Sequence, residues 1–441
     1  MAKKVFALGI VALAFIAAVS GTPTRSAVPN FNVYLGNIGP RPQAYVVDRV
    51  LVQFAPGVSA AAANGVARGV GGVISGVGYG GAFHILSVPV GSVWNVVTAL
   101  SHNPNIVYAE PDWIATASFV PNDPLYSPYQ WHLDNPQYGG IEAEQAWNLS
   151  LGGSSTVKVA VVDTGVAYEN FGAYCKAPDL AGTNFVAGYD FINNDAHAND
   201  DNSHGTHVTG TIAQTTNNGL GVAGIAFNTT IMPVKVLDAS GSGPISAIAN
   251  GIRFAADNGA KVINMSLGTN APKVFLTTLE SAVKYADGKG VFIVCATGNA
   301  GTKKIDCPAC YAESFAVGAS GYDDTRAYYS SYGSGIDITA PGGNDRTDLN
   351  GDTFPDMVLQ NTFNPNTHNP CDFAYWFFEG TSMATPHVSG TAALLFARGA
   401  ASASRVRTLL QSTAEDKGAA GYDTTYGYGI VNAAAAVAAA P

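Results

Sequence analysis

Hydrophobic and polar positions divide the chain into a short segment of small alternating elements and a longer segment of continuous apolar runs. Between Tyr45 and about Ala115, RVLVQF, GGVISGV, AFHILSV and NIVYAE have the character of strands. An Ala-rich stretch and SVWNVVTALS have the spacing of amphipathic helices. The resulting order, βαββαβ, predicts a small α+β unit of ferredoxin-like form.

The second segment begins at about Phe119 and contains strands too apolar to face water on either side. They are predicted over residues 157–163, 230–238, 261–268 and 291–299. Helical stretches such as ISAIANGIRFAADNG and FLTTLESAVKYADGKG alternate with them, and each ends in a glycine suited to a helix C-cap. Buried strands that alternate with helices predict an α/β fold with a doubly wound parallel sheet. Ligands of such folds bind beyond the carboxyl ends of the strands.

A further apolar helix is predicted within EGTSMATPHVSGTAALLFARG, which starts at Glu379. Pro386 lies near its beginning, and proline is tolerated in the first turn of a helix and hardly anywhere further in. We therefore expect this helix to begin close to Ser382, with the serine hydroxyl at the helix N-terminus.

The first residues have the pattern of an export signal. Met1-Ala2-Lys3-Lys4 is basic, and the apolar run from Val5 to Val19 follows it. About 15 apolar residues are typical of a signal-peptide core and too few for a bilayer span of about 20. We predict a signal peptide over residues 1–20, a linker over 21–44 and a secreted protein, with an N-terminal membrane anchor as the alternative. No other run is long enough to span a membrane.

Charge excludes one class of function. Charged residues make up 12% of the 441 residues, and the formal net charge is -10. No basic stripe is present that could neutralise phosphates, so nucleic-acid binding is not expected. A monomer is the default expectation.

The chain has five cysteines. Cys295 lies in the apolar run VFIVC and is predicted to be a free core thiol. The other four, Cys175, Cys307, Cys310 and Cys371, permit three pairings, and the sequence does not choose among them. A single CPAC at 307–310 is weak support for a metal or redox motif, so a loop staple or a reduced pair is preferred.

Three residues at predicted strand or helix ends could form a nucleophilic site. Asp163 closes VKVAVVD, His204 stands just before a helix, and Ser382 begins one. A serine hydroxyl needs a neutral imidazole to take its proton, and the imidazole needs a carboxylate to fix its tautomer. Asp, His and Ser in this chain order form one of the known catalytic triads. The Asn299 amide and the Ser382 backbone N–H would donate to the oxyanion.

Several motifs together resemble a known family. VVDTGV, NSHGTHVTGTIA, NMSLG, ATGN and GTSMATPHVSGTAALL are similar to those of subtilisin-like serine proteases (subtilases), with the thermitase and proteinase K branches nearest. The similarity covers roughly Phe119 to Val437. It implies a serine endopeptidase with Asp163, His204 and Ser382 as the triad and Asn299 as the oxyanion donor. It also implies two edge segments that pair with the substrate backbone: Ser266, Leu267 and Gly268, and Gly241, Ser242 and Gly243.

The same resemblance implies a zymogen. Residues 45–116 would be a prodomain that assists folding and inhibits the enzyme, and residues 117–441 the peptidase domain, with an insertion at about 343–377. NPNIVYAEPDWIA is similar to the end of such prodomains, so self-cleavage is expected between about Trp113 and Phe119. The expected partners are protein or peptide substrates and the chain's own prodomain.

Calcium is the implied cofactor, and three places carry oxygen ligands suited to it. The loop 215–224 resembles the family's strong calcium loop, which implies ligands at Asp123, Asp179, Thr216, Asn218, Leu220 and Val222. The stretch 190–202 offers Asp190, Asp195 and Asp200, with a solvated acidic loop as an equal alternative. The insertion offers an EF-hand-like half-loop at Asp348, Asn350, Asp352 and Asp356, against an Asx-rich turn.

Two other functions compete with a peptidase. A catalytically inactive subtilase acting as a binding protein would normally lack a triad member, and all three are present here. A lipase or esterase would carry a GxSxG nucleophile elbow, and the sequence has none.

Overall fold

The computed structural model describes residues 3–5, 33–37, 42–115, 119–135 and 137–440. The chain divides into two compact units, Ile10–Ala117 and Met1–Gly9 with Ser118–Pro441. The predicted signal peptide lies outside the described residues apart from Lys3–Val5, and so do most of the predicted linker and residues 116–118 of the expected cleavage segment.

The described part of the first unit contains a five-stranded antiparallel sheet in the order β2-β3-β5-β4, with β6 paired to β3. Its elements are β2 (Val33–Asn37), β3 (Pro42–Phe54), α1 (Ala60–Gly69), β4 (Val73–Val77), β5 (His84–Ser87), α2 (Val93–Ser101) and β6 (Ile106–Trp113). From β3 onward the predicted βαββαβ order is confirmed. Val33–Asn37 was expected within a linker, but it forms a strand because its backbone pairs with the start of β3.

A parallel sheet forms the centre of the second unit, with eight strands among the residues described there. Their order is β10-β12-β9-β13-β14-β15-β16, with β11 also paired to β12. The strands are β9 (Lys158–Asp163), β10 (Asn184–Phe185), β11 (Tyr189–Asp190), β12 (Thr230–Lys235), β13 (Val262–Met265), β14 (Phe292–Ala296), β15 (Ser314–Ser320) and β16 (Ile338–Pro341).

Both faces of this sheet are covered. Val159 and Val161 of β9 belong to one hydrophobic cluster, whereas Ala160 and Val162 belong to another. Successive side chains of a strand point to opposite faces, so the two clusters lie on the two sides of the sheet. The predicted doubly wound α/β fold is therefore confirmed.

Helices flank the sheet in the second unit. They are α3 (Tyr126–Tyr129), α4 (Ala143–Ser150), α5 (His204–Ala213), α6 (Ile245–Asp257), α7 (Thr277–Gly288), α8 (Thr381–Ala397), α9 (Ala403–Ser412) and α10 (Ala433–Ala438). Buried residues of α8 share a cluster with one face of the sheet, and those of α6 and α7 share a cluster with the other. None of the helices in the described ranges is both long and apolar enough to cross a membrane.

The insertion contains an antiparallel hairpin of β17 (Val358–Phe363) and β18 (Phe373–Phe378), and β1 (Lys3–Val5) pairs with β18. A two-stranded pair, β7 (Asp134–Asn135) and β8 (Gly139–Gly140), lies elsewhere in the unit. A disulfide between Cys175 and Cys371 ties the hairpin to the segment after β9. Cys307 and Cys310 form the second disulfide, so CPAC is a loop staple. Cys295 is free and buried, as predicted.

Candidate active site

The candidate site lies where the carboxyl ends of three neighbouring strands meet. Asp163 ends β9, Ser266 follows β13 and Asn299 follows β14 by three residues. His204 and Ser382 are supplied by the first residues of α5 and α8. Parallel strands share one carboxyl edge, and this arrangement brings residues from distant parts of the chain together.

Asp163 and His204 are in direct contact. The fully buried Asp163 carboxylate lies 2.7 Å from His204 Nδ1, and its Oδ1 also accepts from the Thr164 backbone N–H at 2.7 Å. Burial alone lowers the pKa of His204, but the charge and the hydrogen bond of Asp163 outweigh it, and the pKa is raised above its usual value. The pair can hold a proton on Nδ1 and leave Nε2 to accept another.

Ser382 is the second residue of α8, and Pro386 is the sixth. The expected helix start is confirmed to within one residue, but Pro386 lies beyond the first turn, contrary to the prediction. A proline there cannot donate to the carbonyl four residues earlier, which is that of Ser382. The Ser266 hydroxyl donates to this carbonyl at 2.8 Å, and the Ser382 hydroxyl donates to the Ser266 carbonyl at 3.1 Å.

Thr381 orients the side chain of Asn299. Its backbone N–H and its hydroxyl donate to Asn299 Oδ1 at 2.9 and 2.8 Å. A Cβ atom added to Gly380 would lie 3.4 Å from Asn299 Nδ2 and 3.5 Å from the Ser382 nitrogen. Both donors therefore border one small space, which stays open because residue 380 has no side chain. A developing oxyanion needs two such donors.

A cleft of about 680 Å³ contains His204 and Ser382 in its wall. Both predicted edge segments line the same cleft: Gly241, Ser242 and Gly243, and Ser266, Leu267 and Gly268. Ile245, Ile248 and Leu279 add an apolar surface. The cleft thus joins the reactive groups to exposed backbone that an extended peptide can pair with.

Two charged residues that support the site were not predicted for this role. Asp200 accepts from the Thr164 hydroxyl at 2.9 Å and from the Thr206 hydroxyl at 2.6 Å, which fixes the start of α5 next to Asp163. Lys235 is fully buried and donates to the Thr164 carbonyl and to Asp201, both at 2.6 Å. A single lysine inside the apolar run TIMPVKVLD was the available signal, since a buried charge needs a partner.

The loop with the first predicted calcium ligands brings two buried acids together. Asn218 Nδ2 donates to Asp179 Oδ1 at 2.8 Å, and its backbone N–H donates to Asp123 Oδ1 at 3.2 Å. Burial raises the pKa of Asp179 to about 7, and the charge of Asp123 adds to that effect. Two acids buried side by side fit a cation, and the neighbouring oxygens are those that calcium prefers. Rotation of the Asn218 amide would present its oxygen as well.

The remaining predicted ligands of this loop lie beside the two acids. The Val222 backbone N–H donates to Asp179 Oδ2 at 3.2 Å, and the Leu220 N–H donates to Asn218 Oδ1 at 2.8 Å. Thr216 uses its hydroxyl within the loop, donating to the Gln214 carbonyl at 3.0 Å. Thr216, Leu220 and Val222 are each expected to bind calcium through the backbone carbonyl oxygen. The hydrogen bonds above use other atoms of these residues.

The other two predicted calcium sites stay predictions, and several of their carboxylates bond to neighbouring groups. Within the described ranges, no three His, Cys, Asp or Glu side chains are grouped as a metal site. The Asp200 carboxylate accepts from the backbone N–H of Thr206 in α5. The Asp190 carboxylate accepts from the backbone N–H groups of residues 192 and 193.

In the insertion, two of the predicted carboxylate ligands accept hydrogen bonds from local donors. Asn350 Nδ2 donates to Asp352 Oδ2 at 2.9 Å, and the Leu349 backbone N–H donates to Asp356 Oδ2 at 2.9 Å. These bonds are those of an Asx-rich turn, the stated alternative, whereas Asp356 Oδ1 is buried and accepts no hydrogen bond from the described residues.

Comparison with known proteins agrees with this geometry. The Subtilase family profile matches residues 154–429, and the Fervidolysin N-terminal prodomain profile matches residues 37–112. The chain is 39% identical to the thermophilic serine proteinase of Bacillus sp. (strain AK1) over 403 residues, 91% of this chain and 90% of that protein. It is 41% identical to thermitase of Thermoactinomyces vulgaris over 319 residues, 72% of this chain and 99% of thermitase.

A solved structure gives the same result. The protease of Pseudoalteromonas arctica PAMC 21717 superimposes with a TM-score of 0.62 and 36% sequence identity, covering 73% of this chain and all of that chain. Fold, site and relatives define a serine endopeptidase of the subtilisin type. The chain belongs to the subtilase family, with a thermitase-like peptidase domain and a fervidolysin-like prodomain.

Proposed function

We propose that the chain is the secreted, self-processing precursor of an endopeptidase that uses Asp163, His204 and Ser382 as its catalytic triad. The observation that carries this proposal is the 2.7 Å contact between the buried Asp163 and His204, which lines the same cleft as Ser382. The basic and apolar pattern of residues 1–20 supports secretion.

Catalysis begins when the Ser382 hydroxyl leaves the Ser266 carbonyl and turns to His204. His204 Nε2 accepts the hydroxyl proton while Ser382 Oγ bonds to the scissile carbonyl carbon. The Asp163 carboxylate holds the Nδ1 proton and stabilises the imidazolium that results. His204 then donates its proton to the leaving amine, which leaves an acyl-enzyme that water hydrolyses with His204 as base.

The negative charge of the tetrahedral intermediate develops on the former carbonyl oxygen. Asn299 Nδ2 and the Ser382 N–H border the space that this oxygen would occupy. Thr381 holds the amide in place before the reaction begins, so no reorganisation is needed at the transition state.

The first unit is proposed to act as prodomain and inhibitor until the chain is cut between about Trp113 and Phe119. Bound calcium would neutralise the two buried acids, Asp123 and Asp179, and thereby stabilise the fold. Asn218 and the backbone carbonyls of Thr216, Leu220 and Val222 would complete the ligand set.

The test is the intact mass of wild type and Ser382→Ala after incubation with calcium. We expect wild type to lose the residues before the cut and Ser382→Ala to stay intact, with Ser404→Ala at an exposed position of α9 processed like wild type. A Ser382→Ala protein that cleaves itself would exclude Ser382 as the nucleophile. If wild type also stays uncut and hydrolyses no added peptide, the inactive binding protein becomes the better interpretation.

A further inference from the structure

Two backbone segments, called walls below, begin at the reacting atoms, and the one that contains Ser266 lines the cleft. One runs from Ser266, whose carbonyl accepts from the Ser382 hydroxyl, to Gly268. The other runs back from Asn299 to Gly298, which adopts a φ of +100°. The side chain of a substrate residue whose carbonyl is held by Ser382 and Asn299 would extend along these walls. Each wall ends in a glycine, Gly268 or Gly298, and so presents backbone there.

Asp306 lies between the two glycines. A Cβ atom added to Gly298 would come within 2.3 Å of Asp306 Oδ2, and one added to Gly268 would lie 3.1 Å from Asp306 Cβ. Backbone bonds fix this position, because Asp306 N–H donates to the Thr297 carbonyl at 3.0 Å and Cys307 exchanges two bonds with Thr269. The carboxylate therefore stands against both walls.

The Asp306 carboxylate has no structural role in the hydrogen bonds and ion pairs of the described residues. In the part of the chain that the structure describes, neither of its oxygens accepts a hydrogen bond or joins an ion pair. The charge of Lys304 acts on Asp306, but its ammonium group donates to the Asn270 carbonyl at 2.9 Å. Burial raises the pKa of Asp306, and the charge of Lys304 only partly opposes that rise. Asp306 is only partly buried and its oxygens are not shut off from solvent, so the carboxylate is open to a ligand that supplies a donor.

We propose that Asp306 is a specificity-determining residue, which selects a cationic side chain, arginine or lysine, on the residue whose carbonyl Ser382 attacks. A long side chain between the two glycine walls can bring its guanidinium or ammonium group to the carboxylate, and a charge-assisted bond there is strong because the groups are partly shielded from water. This inference rests on the proposed roles of Ser382 and Asn299.

Self-processing does not depend on this preference. The expected cleavage segment, WIATASF from Trp113 to Phe119, contains no lysine or arginine. A cut within the same chain benefits from a high effective concentration, so it can proceed without the side-chain contact. Substrates in free solution lack that advantage, and the preference applies to them.

The test uses two peptides that are identical except for arginine or citrulline at the residue before the cut. Citrulline has nearly the shape of arginine and no charge. We expect wild type to favour arginine by about tenfold or more in kcat/KM, and Asp306→Asn to reduce the ratio to roughly threefold or less. Asp287→Asn, which changes an exposed carboxylate on α7, is the matched control and should keep the wild-type ratio.

Each outcome separates the two proposals. A processed enzyme that hydrolyses both peptides equally well overturns the role of Asp306 and leaves the triad untouched. A chain that hydrolyses neither peptide, and whose Ser382 is not labelled by a fluorophosphonate, overturns the proposed function together with this inference. The wild-type ratio needs no variant, so misfolding of Asp306→Asn cannot conceal a negative result.

Discussion

Ser266 and Ser382 exchange two hydrogen bonds, each hydroxyl donating to the other residue's carbonyl, at 2.8 and 3.1 Å. Pro386 makes this exchange possible because it leaves the Ser382 carbonyl without its helical partner. The residue that lines the substrate cleft therefore also holds the backbone of the nucleophile.

Ser266→Ala should lower kcat by roughly tenfold, since the Ser382 carbonyl loses its donor and the nucleophile is less firmly placed. Steady-state kinetics on one peptide substrate would measure the change, with Ser246→Ala at an exposed position of α6 as the matched control. An unchanged kcat would mean that the Ser266 hydroxyl does not position Ser382.

Asn299→Leu should lower kcat by about 10²–10³-fold, a magnitude that was measured for an oxyanion donor in subtilisin. The substitution removes Nδ2 and keeps a side chain of similar size. Thr381→Val removes one of the two bonds that orient the amide and should have a smaller effect. If the loss for Asn299→Leu is below about threefold, the oxyanion role is excluded.

Activity should rise with pH through the ionisation of His204. The imidazole accepts a proton only when neutral, and Asp163 raises its pKa above the ordinary value of 6.5 against the opposing effect of burial. The acidic limb of the kcat/KM profile should therefore have its midpoint above pH 6.5, and activity should fall at lower pH. In Asp163→Asn the favourable charge is lost, so the midpoint of the residual activity should move to lower pH. A wild-type midpoint below 6.5 would contradict this.

Calcium should raise the melting temperature of the processed enzyme, and chelation should lower it. At about 100 times its dissociation constant a ligand stabilises the folded state by about 2.7 kcal/mol. Asp179→Asn should remove most of the calcium-dependent shift because it deletes one of the two buried charges, whereas Asp287→Asn should keep it. Calorimetry with and without a chelator measures the difference. Equal shifts in Asp179→Asn and wild type would place calcium elsewhere.

Much of the fold and of the proposed triad could be predicted from local patterns. Apolar strands that end in Asp163 and lead to Asn299, together with helix starts at His204 and Ser382, are features of short contiguous segments. The general topology of a parallel sheet then places these ends at one edge. Strand Val33–Asn37 was missed, because its pairing with β3 is not visible in its own residues.

Acidic side chains in loops show the limit of this reasoning. Asp200 and Asp356 were predicted as metal ligands from their spacing, but hydrogen bonds to neighbouring groups take up Asp200 at α5 and one oxygen of Asp356 in its turn. The local sequence around an acidic loop residue is the same whether its side chain binds a metal or accepts hydrogen bonds from the backbone.

The sequence by itself determined the family, the sheet and the residue types at its edge, because those depend on periodicity and on motifs of a few residues. Tertiary structure alone decided the cysteine pairing, the exchange between Ser266 and Ser382, and the place of Asp306 between two glycines. Each of these joins segments far apart along the chain, and their approach is fixed by packing against a shared core that no local pattern encodes.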